Sequence, residues 1–282
     1  MRYASCQHGR RQFAGLLVDD HLIPLDGITE LGHTTTNALL ADPPLGEAHA
    51  VPLSELELRP VVPAPSKIIC VGLNYLDHVG ETDREIPEYP VLFAKFAEAL
   101  VGAGQPILLP PESQQVDYEG ELAVVIGQPG RRIAREDALR HVAGYTIAND
   151  VTMRDYQYKT HQWIQGKTWE HATPLGPWLV TPDELQDAAA LELTLTLNGQ
   201  VLQHASTAQL MFDVPRLIST VSELVTLRPG DVILTGTPGG VGFRRDPQVF
   251  LADGDSVSVE ITGIGMLTNT VVAERPPEKG VE

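Results

Sequence analysis

Apolar and polar residues along this chain alternate in short bursts, without the long stripes of a helical protein. Strand-like runs recur at 68–72, 91–96, 122–126, 143–149, 191–197, 231–235 and 256–261, rich in Val, Ile and Leu and punctuated by Pro and Gly. The segment "FAGLLVDDHLIPLDG" reads as a hairpin, and "LNGQVLQ" at 197–203 places Asn-Gly between two strand-forming stretches, a strong hairpin signal. Helical spacing is scarcer and best at 135–142 ("REDALRHV") and 213–225 ("DVPRLISTVSELV"). A Pro-rich connector, "LRPVVPAPSK", follows the first strands. The pattern predicts a β-rich α+β protein with a small N-terminal domain over 1–62, a main domain over 63–275 and a loose tail over 276–282.

The chain's 282 residues give ample core for one large domain or two unequal ones. A formal charge of -17 argues against nucleic acid as a partner, because its phosphates would be repelled. No apolar run approaches the length of a membrane span and the N-terminus lacks the apolar stretch of a secretory signal, so a cytoplasmic protein is expected. Cys6 and Cys70 match no zinc spacing and are expected to be free thiols. "LRPGDVILTGTPGGVG" is a strand followed by a Gly-rich loop, without the Lys and Ser/Thr that end a P-loop.

Candidate chemistry begins at "VDYEGELAVVIG", 116–127, where an apolar strand is entered through Asp117, Glu119 and Glu121. Alternate strand residues share a face, so in one continuous strand the three acids would project together. Two readings are open: a solvated edge, or a hard divalent cation that lets carboxylates converge. Asp150, at the end of the run "GYTIAND", is by itself an ordinary turn residue. Joined to Glu119 and Glu121, it would complete a three-carboxylate site for Mg²⁺ or Mn²⁺, with Asp117 standing behind the ligands or exposed.

His78 and Glu81 in "YLDHVGE" fall on one face of a helical turn, either as a general base with its orienting carboxylate or as two surface residues. Lys167, between Trp163 and Trp169, is either a loop cation or a pocket charge.

In their order, "GLNYLDHVGE", "VDYEGELAVVIG", "GYTIANDVTMRDYQ", "QWIQGKTW", "LNGQ", "TLRPGDVILTGTPGGVG" and "GDSVSVEITGIGMLTN" resemble the fumarylacetoacetate hydrolase family in its bacterial two-domain form, collinearly over about residues 66 to 270. The resemblance implies a mixed β-roll, barrel-like main domain and a homodimer. It implies Mg²⁺ or Mn²⁺, with Ca²⁺ as an alternative occupant, on Glu119, Glu121 and Asp150. It makes His78 and Glu81 a water-activating pair, assigns Lys167 and Gln157 to the substrate and its oxyanion, and puts Thr237 in a loop that binds the substrate carboxylate; Arg154 is a further substrate contact.

The implied reaction is hydrolysis of a carbon–carbon bond in a small anionic 2,4-dioxo acid, an acylpyruvate or fumarylpyruvate, to pyruvate and a carboxylic acid, in the breakdown of aromatic or sugar acids. The same electrophilic apparatus serves an oxaloacetate-type decarboxylase, an isomerase of 2-hydroxy-diene-dioates or a keto–enol interconversion. Three departures from the family pattern stand out: Phe96 follows Lys95 where relatives often have Pro, Glu170 stands where many carry Asp, and Val71 is nearest to the place of a fourth carboxylate ligand in larger members.

Overall fold

A computed structural model of the chain describes residues 1–46, 49–75 and 88–275. The helical turn expected around His78 and Glu81 and the C-terminal tail lie outside the described residues.

Two mixed sheets and a two-stranded antiparallel ribbon, Val116–Asp117 with Thr152–Met153, make up the fold. The larger runs, in spatial order, Val51–Pro52, His21–Pro24, Arg11–Val18, Arg2–His8, Thr173–Val180, Val142–Asn149, Gly120–Ile126, Val232–Leu234, Ile68–Gly72 and Val91–Lys95, with two short strands pairing off this path. The smaller runs Gln200–Ser206, Glu192–Leu197, Ser256–Ile261, Gly265–Ala273 and Ile107–Leu109. Neither closes into a barrel among the described residues; the β-rich α+β class is as the sequence implied, in the form of open sheets. Most neighbours are antiparallel, but Val232–Leu234 runs parallel to Ile68–Gly72, which requires a long crossover between them.

Gly120–Ile126 explains its own unbroken apolar sequence. Leu122, Val124 and Ile126 face a core that includes Leu193, Leu195, Val257 and Val259 from the smaller sheet. Ala123 and Val125 face a second core with Cys70, Leu175 and Leu234. A strand covered on both faces has no solvent side to alternate with.

The two hairpins form as their turn chemistry predicts. Leu197 pairs with Gln200 across Asn198 and Gly199, both at positive φ (52° and 81°), as a tight two-residue turn demands. Val18 pairs with His21 in the N-terminal hairpin. Helix Val214–Leu224 starts where Asp213 accepts a hydrogen bond from Arg216 N, and it buries Val214, Leu217, Ile218 and Val221. The expected helix at 135–142 is a tighter 3₁₀ stretch, Arg135–His141. Strand Thr173–Val180 joins the N-terminal strands to the centre of the large sheet: Arg2 and Tyr3 pair with Val180 and Leu179.

Candidate functional site

The acids converge because two antiparallel strands deliver them. Gly120 pairs with Asn149 and Glu121 with Ala148, so the start of one strand meets the end of the other. Asp150 N donates to Glu119 O at 2.8 Å, and Glu119 N donates to the side-chain oxygen of Asn149 at 2.8 Å. These bonds fix both carriers side by side. Glu119, Glu121 and Asp150 each offer a carboxylate oxygen, all within 4.8 Å of one another, and all three residues are buried.

Asp117 does not join them. The chain breaks its strand between Val116–Asp117, which pairs with Thr152–Met153, and Gly120–Ile126, so the alternation expected through all three acids fails at this bend. Asp117 is fully buried and receives Arg154 instead, with Nε at 2.8 Å and Nη2 at 2.7 Å from Oδ2. Exposure, one of its two expected states, is excluded.

Cations interleave with the carboxylates. Lys167 Nζ donates to Glu119 Oε2 at 2.6 Å and to Asp150 Oδ2 at 2.7 Å. Lys95 Nζ lies 2.5 Å from Asp150 Oδ1, and Arg154 Nη2 lies 2.7 Å from Glu119 Oε1. Burial opposes the charge on Lys167, but Asp150 and Glu119 outweigh it and hold the ammonium protonated. The same contest on Arg154 is won by Asp117 and Glu119. Glu121 is pushed well above the usual carboxylate range, first by burial and then by the charges of Asp150 and Glu119; Lys167 and the N–H of Gly236, which donates to Glu121 Oε2 at 2.7 Å, pull the other way.

This arrangement fits a divalent cation. Four buried carboxylates, Asp117, Glu119, Glu121 and Asp150, face three buried cations, Lys95, Arg154 and Lys167. With all four ionised the cluster would carry an excess negative charge in a dry setting, where an uncompensated charge is costly; Glu121 is pushed up for this reason, and a bound cation would relieve it. Convergent carboxylate oxygens are also the donors that Mg²⁺ and Mn²⁺ prefer.

Around the acids lies a pocket lined by Val71, Phe93, Trp163, Thr237, Phe243 and Arg244, together with Arg154, Gln157 and Lys167. Lys167 ends a short helix, Ile164–Lys167, that packs on Arg154–Gln157. Gly166 permits the approach, since a Cβ there would run into the backbone of Gln157. Arg154 Nη1 donates to Gln157 Oε1 at 3.0 Å. Thr237 is anchored by donating to Gly120 O at 3.0 Å and accepting from Gln203 Nε2 at 2.8 Å.

Glu119, Glu121, Arg154, Gln157, Lys167 and Thr237 thus border one pocket, and Asp150 is buried against the two glutamates; His78 and Glu81 lie outside the described residues. Val71 presents an apolar side chain there. The sequence left two residues without their roles: Lys95, whose only signal is a lone charge closing an apolar run, and Asp117, whose partners come from distant segments.

Residues 67–272 match the model of the fumarylacetoacetate (FAA) hydrolase C-terminal domain. A curated relative, the mitochondrial oxaloacetate tautomerase FAHD2A of Bos taurus, is 49% identical over 224 residues, 79% of this chain and 71% of the relative. Among solved structures, the 5-carboxymethyl-2-hydroxymuconate delta-isomerase from Mycobacterium smegmatis superposes with a TM-score of 0.84 at 37% identity, covering 97% of this chain and 100% of the other. A fumarylacetoacetate hydrolase from Exiguobacterium antarcticum gives 0.80 at 36% identity, with coverage of 97% and 100%. The expectation of a cytoplasmic protein is overturned here, because the bovine relative and its human and rat counterparts are mitochondrial by name. An N-terminus without an apolar run does not speak against mitochondrial import, since transit peptides are amphipathic.

Proposed function

The chain belongs to the fumarylacetoacetate hydrolase family, and from that premise we propose that it is a divalent-metal-dependent enzyme interconverting the keto and enol forms of oxaloacetate or a closely similar 2-oxo diacid. The observation that carries the reading is the convergence of Glu119, Glu121 and Asp150 beside Lys167 and Arg154 in one pocket. The names of the relatives favour the isomerase-type alternative of the sequence reading over carbon–carbon hydrolysis.

Mg²⁺ or Mn²⁺ on the three carboxylates, when bound, would draw electron density from the 2-oxo group of the substrate. The chain's own residues supply the rest. Lys167 holds a proton at Nζ and donates a hydrogen bond to the oxygen that becomes enolic, stabilising negative charge there. Arg154 and Arg244 offer positive charge to the substrate's carboxylates, countering the repulsion of a chain with net charge -17. Phe93 and Trp163, 5.6 Å apart edge to face, narrow the access of water. Tautomerisation moves one proton from C3 to the 2-oxygen and consumes no water, so a shielded pocket suits it. We assign the base to His78, oriented by Glu81, on the sequence resemblance.

Hydrolysis is the second reading, favoured by the likeness to the Exiguobacterium enzyme. Both are tested by stripping the purified protein of metal, restoring Mg²⁺ or Mn²⁺, and following the enol absorbance of oxaloacetate against its spontaneous rate, with pyruvate assayed in parallel and acetylpyruvate as the hydrolase substrate. Metal-dependent acceleration of enol decay without pyruvate release is expected. Cleavage of acetylpyruvate with no effect on oxaloacetate would transfer the assignment to the hydrolase, and pyruvate from oxaloacetate would transfer it to a decarboxylase.

A further inference from the structure

We propose that Asp117 is a positioning residue that locks the turn at 240–245 to Arg154, so that hydrogen bonds and ion pairs join the substrate-facing wall of the pocket to the metal-ligating Glu119 as one unit. The inference rests on this pocket being the substrate site. It adds a role for a residue that neither ligates the metal nor lines the pocket itself, but bonds to Arg154 and Phe243, which do line it.

The geometry is specific. Asp117 Oδ1 accepts from Tyr118 N at 2.9 Å and from Gly242 N at 2.8 Å. Oδ2 accepts from Phe243 N at 3.0 Å and from Arg154 Nε at 2.8 Å, with Arg154 Nη2 at 2.7 Å. One fully buried carboxylate therefore gathers three backbone donors and a guanidinium. Gly242–Arg244 is a single 3₁₀ turn, and the first N–H groups of such a turn have no partner within it. Nothing nearby in sequence caps them: Val241 precedes the turn and provides no side-chain hydrogen bond. The cap arrives from far away in the chain, at Asp117. Gly242 makes the approach possible, since a Cβ there would collide with Val249 O and crowd Asp117 Oδ1.

Two arms extend from this junction into the pocket. Through Arg154 it reaches Glu119 Oε1, 2.7 Å from Nη2, and Gln157 Oε1, 3.0 Å from Nη1. Through the turn it sets Phe243 and Arg244, both on the pocket wall. The guanidinium carbons of Arg154 and Arg244 lie 6.0 and 5.5 Å from the centroid of the Phe243 ring, so the side chains of the two arms meet again at one aromatic ring. A ligand carboxylate drawn to Arg154 or Arg244 would meet cations whose positions both depend on Asp117.

Asp117→Asn tests this with little change of shape. The amide keeps one acceptor and turns the other into a donor facing N–H groups, so at least one arm must let go. In the Mg²⁺-loaded protein, oxalate, which cannot tautomerise, serves as the calorimetric probe. Oxalate affinity is expected to fall at least 10-fold and KM for oxaloacetate to rise by a similar factor. At saturating Mg²⁺ the fall in kcat should be smaller than the rise in KM, and hydrogen exchange of a peptide covering 240–246 should quicken at least 10-fold without change in Gly120–Ile126. A second measurement needs no variant: oxalate binding to the wild-type protein should slow exchange at 240–246 several-fold.

An Asp117→Asn protein with normal oxalate affinity and KM, or wild-type exchange at 240–246 indifferent to oxalate, overturns the role of Asp117 alone. A wild-type protein that binds no oxalate and accelerates no oxaloacetate chemistry overturns the reading of the pocket, and the inference with it.

Discussion

The two ends of the large sheet use opposite means of being stable. At the N-terminal end, Ala4, Cys6, Phe13 and Leu22 form an apolar cluster, while Arg10, Arg11, Asp19 and Asp20 are all exposed. Ser5 is the buried polar side chain of Arg2–His8, and it is satisfied by Val61 O and Leu31 N. Toward the other end, eight charged residues are buried among strands of the same sheet and their connections, the seven of the site and Asp231. The first region gains stability by removing apolar area from water. The second spends stability on desolvated charge, recovered only if every partner is in place. A region built in the second way is shaped by its ligand chemistry more than by folding.

That contrast can be broken at graded points. The largest effect belongs to Glu119→Gln, which removes one ligand charge and one partner of Lys167 and Arg154. Metal affinity measured by calorimetry should drop by more than the ~100-fold that residues behind the ligands typically command, and metal-dependent activity should vanish. Metal binding within 10-fold of wild type would remove Glu119 from the ligand set.

Next comes Lys95→Met, which strips Asp150 of a buried cation without touching the pocket lining. Urea unfolding of the metal-free protein should show a loss of about 3–5 kcal/mol, the usual cost of leaving one half of a buried pair. Mg²⁺ should restore part of the loss, because it replaces the missing positive charge; a metal-independent loss would mean that Lys95 acts by packing alone.

At the apolar end, Leu22→Ala should cost about 2–5 kcal/mol for the cavity it leaves, with metal affinity unchanged within 2-fold. Loss of metal binding in this variant would show that the two ends are not separable.

Smallest is Asp213→Ala, which belongs to neither cluster. It removes the cap of Val214–Leu224 and its exposed ion pair with Arg135, at a cost of about 1 kcal/mol, nearly all from the cap. The matching Arg135→Ala should be almost silent in the same unfolding assay.

What the sequence disclosed follows the same division. Gly120–Ile126 and Val142–Asn149 were legible because buried strands are spelled out locally, and the Asn198-Gly199 turn was legible because few residues tolerate its dihedral angles. Glu119, Glu121 and Asp150 could be grouped because one pair is spaced by two and the third closes a strand. Thr173–Val180 escaped notice: Pro174 and Pro177 lack the N–H that a ladder expects, and its pairing with Val142–Asn149 shifts register between Tyr145 and Ile147. The clamp by Lys95 and the bend that turns Asp117 away from its neighbours were also hidden. Both depend on which residue meets which across the fold, and no local spacing encodes that.

The parallel strand Val232–Leu234 carries a further consequence, for synthesis on the ribosome. It sits between Gly120–Ile126 and Ile68–Gly72, both translated long before it. Until it emerges, each of these strands presents an unpaired edge, and the sheet is interrupted between them. A nascent chain stopped short of residue 232 would expose two sticky ribbons, so truncated products should aggregate, and the finished protein must fold by inserting a late-made strand into a slot between two earlier ones.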